Sequence, residues 1–170
     1  GFPGFASSLG FVTDWKVAGP FSWDPAKGFG PARVNEPAVD LTATYNEGAS
    51  SIAWKPQAAA EQTGLVDLGS AFGDAAGATA YAFARVNVPE DTDAVIRAGS
   101  DDGIKIWLNG QAVHENLVDR GVALDNDQIP VKLKAGANDI LVQITQGGGG
   151  WGYCLRLTKP DGTPLPFTQE

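Results

Sequence analysis

Two adjacent carboxylates are the first residues that could do chemistry. Asp101 and Asp102 precede Gly103, and the stretch downstream carries Asn116, Asp119, Arg120, Asp125, Asn126 and Asp127. A hard divalent cation takes about six to eight oxygens from carboxylates, amides and carbonyls. Asp101, Asp102, Asp125 and Asp127 are therefore the candidate metal ligands, with Ca²⁺ as the candidate ion. Their order is not an EF-hand, because residues 125–128 lack the central Gly and the later Glu. The same residues have a plainer use: Asp-Asp-Gly forms turns, and an acidic loop is well solvated.

The other candidate ligand-binding residues are Arg120, Asn116, Gln146, Trp151 and Trp107. Trp151 follows four glycines, and an aromatic beside an adaptable loop can stack on the C–H face of a sugar ring. Strand parity also allows Trp151, Tyr153, Leu155 and Leu157 to form one core face. Trp107 shares a face with Lys105 and Asn109, opposite Ile104 and Ile106, which places it on an open sheet surface or in a second layer. Of the remaining tryptophans, Trp15 and Trp54 read as packing, and Trp23, between Ser22 and Asp24, reads as the most exposed. His114 is the only histidine and reads as a surface strand residue. Cys154 has no basic neighbour in sequence and reads as a buried, inert thiol. No nucleophile elbow, zinc-protease helix or phosphate loop occurs, so no catalytic residue is expected.

These residues need elements to position them. Segments 78–88, 94–98, 104–108, 112–115, 129–134, 139–146 and 151–158 alternate apolar and polar residues with period two and are rich in β-branched residues, which predicts antiparallel strands. Asp102-Gly103, Asn109-Gly110, Ala135-Gly136, the glycines at 147–150 and Asp161-Gly162 supply the turns. Antiparallel strands reverse direction each time. The loops at 100–103, 116–127 and 146–151 therefore fall at one end, and those at 109–110 and 135–138 at the other. Function concentrates on loops held by a rigid scaffold, so the first end is the candidate site. Residues 1–77 are irregular, with β-like pieces at 11–21, 51–55 and 65–68, a Pro/Gly/Ala-rich loop at 22–39 and a helical turn around 57–62, where Ala is dense. The expectation is one all-β module over 1–170: an antiparallel β-sandwich of jelly-roll, galactose-binding-like type, with an irregular part at 1–77 and a regular core at 78–158.

Composition narrows the partners. The chain has 170 residues, net charge −8 and only 12 Lys plus Arg. That balance disfavours nucleic acid and anionic membranes. No apolar run is long enough to span a bilayer. The 22 Gly and 11 Pro mean many turns without reaching the composition of disorder. With one Cys and no Met, the chain has no internal disulfide and reads as processed or as a module of something larger.

The run from Ser100 to Gly110, Ser-Asp-Asp-Gly-Ile-Lys-Ile-Trp-Leu-Asn-Gly, resembles the domain shared by anthrax protective antigen, many bacterial glycosidases and yeast flocculin adhesins. The run from Leu133 to Val142 is similar to a stretch of the sugar-binding jelly-roll domain of family 2 glycoside hydrolases. The opening Trp15–Phe21 and the Gly-Gly-Trp-Gly-Tyr at 149–153 resemble accessory modules of large secreted bacterial proteins, many of them polysaccharide-degrading. The resemblance implies a paired-aspartate Ca²⁺ site at Asp101 and Asp102, with Asn116 and Asn126 as candidates for an Asn ligand. It implies a non-catalytic carbohydrate-binding module on an exported polysaccharide-active enzyme, extracellular or periplasmic, with a polysaccharide or oligosaccharide and the adjacent domains as partners. Two other readings stand beside it. One is a structural or interaction module packing on a catalytic domain through Trp107 or the N-terminal loop. The other is a jelly-roll lyase or glycosidase, whose carboxylate spacing is visible only in three dimensions.

Overall fold

The computed structural model describes residues 4–73 and 75–169. Thirteen strands run along it: β1 (Asp14–Ser22), β2 (Thr44–Glu47), β3 (Ser50–Ala53), β4 (Lys55–Ala58), β5 (Val66–Asp67), β6 (Ala78–Val88), β7 (Thr92–Asp101), β8 (Ile104–Leu108), β9 (Gln111–Asn116), β10 (Asp127–Leu133), β11 (Gly136–Gln146), β12 (Gly152–Thr158) and β13 (Thr168–Gln169). Two short helices, α1 (Phe5–Ser8) and α2 (Leu68–Phe72), and a 3-10 turn at Pro25–Lys27 complete it.

The large sheet has the order β4-β1-β6-β11-β8-β9, with β13 also on β6. The smaller sheet has the order β10-β7-β12-β5, and β2-β3 form a separate hairpin. All these pairings are antiparallel. The architecture is the expected all-β antiparallel sandwich.

Period two explains the layers. On β11, Ile140, Val142 and Ile144 point into the space between the sheets, where they meet Ile96, Leu155 and Leu157 of the smaller sheet. Facing pairs on β6 use Ala80, Ala82 and Ala84, and these small residues leave room for Trp15 and Tyr153, whose rings meet edge to face at 5.2 Å. Such a buried aromatic pair adds about 0.5–1.5 kcal/mol beyond its area.

The opposite face of the large sheet is buried too. Tyr81, Phe83, Trp107 and Leu141 lie under Phe21, Val34 and Ile52. The Pro/Gly/Ala-rich stretch and the hairpin thus form a cover, and Trp107 sits in a second layer, 8% exposed. The expected helical turn at 57–62 is corrected: Lys55–Ala58 is a strand paired with β1. Pairing with an edge that was otherwise open outweighs the weak helix preference of three alanines.

Candidate functional site

At one end of the sandwich the chain crosses between the sheets after β5, β7, β9 and β11, and the last three of these crossings come together. β7 belongs to the smaller sheet and β8 to the large one, so Asp101, Asp102 and Gly103 form one crossing. Residues 117–126, between β9 and β10, form the second, and residues 147–151, between β11 and β12, the third. All three meet at Asp102.

Asp102 is 5% exposed. Its Oδ2 accepts from the Gly147 amide at 2.8 Å, and its Oδ1 accepts from the Arg120 amide at 3.2 Å. Its own N–H donates to Thr145 O at 2.8 Å, and its carbonyl accepts from Ser100 Oγ at 2.6 Å. Gly103 N–H donates to Thr145 Oγ1 at 2.9 Å. The Asp101–Asp102 peptide is cis. One carboxylate is therefore held by one backbone amide from each of the other two crossings.

The Asp101 carboxyl lies against it and is half-buried. Burial, a hydrogen bond with the Asp102 carboxyl, and repulsion from Asp102 and then Asp119 push it up to about 6. Two acids this close resist joint ionisation, and a positive charge between them removes the conflict. A Cβ on Gly150 would stand 2.9 Å from Asp101 Oδ2 and displace the end of that side chain. Each Asp102 oxygen keeps a lone pair beyond its amide partner. The pair can accept hydroxyl donors, and its all-oxygen, uncompensated negative character fits a hard cation.

The other two expected metal ligands are engaged elsewhere. Asp127 accepts from Arg120 Nη1 and Nη2 at 3.2 and 2.7 Å and from Asn116 Nδ2 at 3.2 Å. His114 Nε2 lies 3.2 Å from Asp127 Oδ2, without hydrogen-bond alignment. Burial pushes Asp127 up, but Arg120 and then His114 outweigh it and leave the carboxyl below its ordinary value. Asp125 accepts both oxygens' bonds from Arg156, at 2.9 and 2.7 Å, and is likewise lowered. Among the described residues no three His, Cys, Asp or Glu side chains gather as a metal cluster. Asp125 and Asp127 thus stand apart from Asp101 and Asp102, each paired with its own arginine, so the four expected carboxylates do not form one set. Asn126 is also occupied: its Oδ1 accepts from the Ala123 amide at 3.0 Å.

The remaining candidates divide. Arg120 is at the site, but as a brace. Nε donates to Ser100 O at 3.1 Å and Nη2 to Ser100 Oγ at 2.9 Å, besides its bonds to Asp127. Asn116 is tied to that same brace. Gln146 is buried, and its Nε2 closes the glycine loop on Gly149 O at 2.8 Å. Its Oε1 is a buried acceptor without a protein donor. Trp151 is corrected as a stacking face: it is 4% exposed and packs on Phe72 in the core between the sheets. Its carbonyl accepts from the Leu68 and Gly69 amides, which ties α2 to this crossing. Trp107 is corrected likewise, since it lies under the cover on the outer face. Cys154 is buried, which pushes its thiol up to about 11. Ser100 and Gly147 lie in the loops expected at this end but are not among the expected site residues, and Thr145 lies outside those loops. Backbone donors leave no residue-type signal, and the glycine run marks only that a close approach is allowed.

No protein-family model matches the chain, and no curated protein matches it. Solved structures do. A β-glucosidase from Kluyveromyces marxianus in complex with glucose matches 85% of this chain and 16% of its own length, at 16% identity and TM-score 0.52. A PA14 domain of the antifreeze protein MpAFP matches 54% of this chain and 47% of its own, at 18% identity and TM-score 0.42. A PA14 sugar-binding domain from an RTX adhesin covers 94% of this chain and 96% of its own, at 13% identity and TM-score 0.42. The chain thus spans about half of the antifreeze domain structure and under a fifth of the β-glucosidase. No helix among the described residues is long and apolar enough to cross a membrane. At these identities the likeness is one of fold: an antiparallel β-sandwich that also occurs inside a sugar-processing enzyme.

Proposed function

We propose that the chain is a non-catalytic carbohydrate-binding module that takes glycan hydroxyls at Asp101 and Asp102. The observation that carries this reading is the paired carboxylates at the loop end, one locked by backbone amides and the other, among the described residues, without a cationic partner. Ca²⁺ fits there: Asp101 and Asp102 would hold it, and it would supply positive charge for hydroxyl oxygens. Arg120, Asn116 and Asp127 brace the site from behind. The module would belong to an exported polysaccharide-active enzyme, bind polysaccharide or oligosaccharide outside the cytoplasm, and adjoin further domains.

The test is affinity electrophoresis against a panel of soluble polysaccharides, with calcium and again with EDTA. Retardation that EDTA and Asp102→Asn both abolish is the expected result. Migration unchanged by every glycan under both conditions would overturn the reading.

A further inference from the structure

Among the described residues, Trp23 is the tryptophan that no other ring or cation meets. Among the described residues Trp15 meets Tyr153, Trp54 meets Tyr45, Trp151 meets Phe72, and Trp107 lies between Tyr81 and the Lys105 ammonium. No ring or cation stacks on Trp23, which is partly exposed. Its orientation is nonetheless fixed. Nε1–H donates to Gly28 O at 2.7 Å, and the backbone N–H donates to Gly77 O at 2.8 Å. It lines a cavity of about 250 Å³ with Ser22, Lys27, Phe29, Arg33 and Thr79. The floor is also pinned, because Gln143 Nε2 donates to Phe29 O at 2.8 Å and to Thr79 Oγ1 at 3.1 Å. A rigid aromatic wall with polar groups at its rim suits a pyranose, which has apolar C–H faces and an equatorial belt of hydroxyls.

The register links this cavity to the paired aspartates. Ser22 pairs with Ala78 on β6, and Ala78 pairs with Gln146 on β11. The next residues outward are Gly77 and Gly147. Gly77 O takes the Trp23 amide, and the Gly147 amide holds Asp102. Successive strands lie about 4.8 Å apart, so a few strand spacings separate the two places, a span suited to a short oligosaccharide. Both glycines leave room beside their own backbone: a Cβ on Gly77 would meet only Trp23 O, at 3.4 Å, and one on Gly147 only Asp102 Oδ2, at 3.4 Å.

We infer that the Trp23 cavity is a second sugar subsite, which stacks a further pyranose of the same glycan chain whose hydroxyls are held at Asp101 and Asp102. The inference rests on the glycan reading above, and it makes the module a reader of chain length. The probes are glucose, mannose and galactose, with maltotetraose, cellotetraose, mannotetraose and galactotetraose, titrated calorimetrically into the intact chain. A tetrasaccharide is expected to bind roughly three- to tenfold more tightly than its own monosaccharide. Trp23→Ala should erase that advantage and leave monosaccharide affinity unchanged. Trp23→Phe, which keeps a stacking face, should keep most of it and guards against a folding defect. Equal tetrasaccharide affinity in wild type and Trp23→Ala would overturn the subsite while leaving the Asp101–Asp102 reading standing. Failure of every probe, monosaccharides included, would overturn both.

Discussion

Asp101 and Asp102 are neighbours in sequence, yet they are held differently, and the difference makes Asp101 the titrating member. Its carboxyl is raised from 3.8 to about 6 by burial and by Asp102. Between those values the folded chain keeps a proton that the unfolded chain has released. Through this group, folding stability therefore rises as the pH falls through about 6 toward 3.8. At neutral pH, without calcium, Asp101→Asn should melt above wild type, and the two should converge as the pH drops. Calorimetric melting across that window checks it. Added calcium should stabilise wild type at neutral pH and leave the Asn variant unmoved. Arg120 carries a second expectation at this scale. It neutralises Asp127, whose side chain is 9% exposed. Arg120→Ala leaves that carboxylate to Asn116 and His114 alone and should cost about 1–3 kcal/mol in a urea titration. The acidic residues were legible in the sequence as a group, but their partners were not. Arg156 and Arg120 reach Asp125 and Asp127 from positions 31 and 7 residues away, and only the folded sheets decide which carboxylate is neutralised and which stays free.

Alternation and turn chemistry made the regular strands readable, because one buried face per strand imposes period two. The limits of β6 and β8 follow the sequence pattern closely, and Asn109-Gly110 closes the hairpin between β8 and β9 with positive φ at both residues. The reversal of strand direction also put the three crossings at one end. The identity of the groups facing the ligand was less legible. The glycines at 147–150 suggested a loop around Trp151, whereas their use is to bring a backbone amide onto Asp102 and to leave space for Asp101. Gly150→Ala tests this. The added Cβ crowds the end of the Asp101 side chain rather than backbone. Calcium affinity should fall several-fold in isothermal titration, with the melting temperature in EDTA nearly unchanged.

Across the whole molecule, the large sheet is buried on both faces, and this was the hardest feature to read. The stretch that covers its outer face is rich in Pro, Gly and Ala, a composition shared with solvent loops. Within it a few scattered residues, Phe29, Val34 and Val39, turn inward, and Ile52, Tyr45 and Trp54 of the neighbouring hairpin and the residue after it complete the cover. Trp107 therefore serves packing, and Trp107→Ala should cost about 3 kcal/mol or more in stability while leaving glycan binding at the aspartates intact. Denaturation and affinity electrophoresis on the same variant separate the two effects.

The three crossings have a mechanical consequence. They are three of the four places where the chain passes from one sheet to the other at that end, and all three are gathered on a single carboxylate. Anything bound there acts as a removable cross-link between the two halves of the sandwich. Occupancy should add about RT ln(1 + [L]/Kd) to the cost of prying the sheets apart. The resistance should be local. On saturation, amide hydrogen exchange should slow at Asp102, Gly103 and Thr145, which staple the sheets, and stay unchanged at Tyr45 and Ile52 in the hairpin of the outer cover. Such a module would be stiffest when it is holding its ligand.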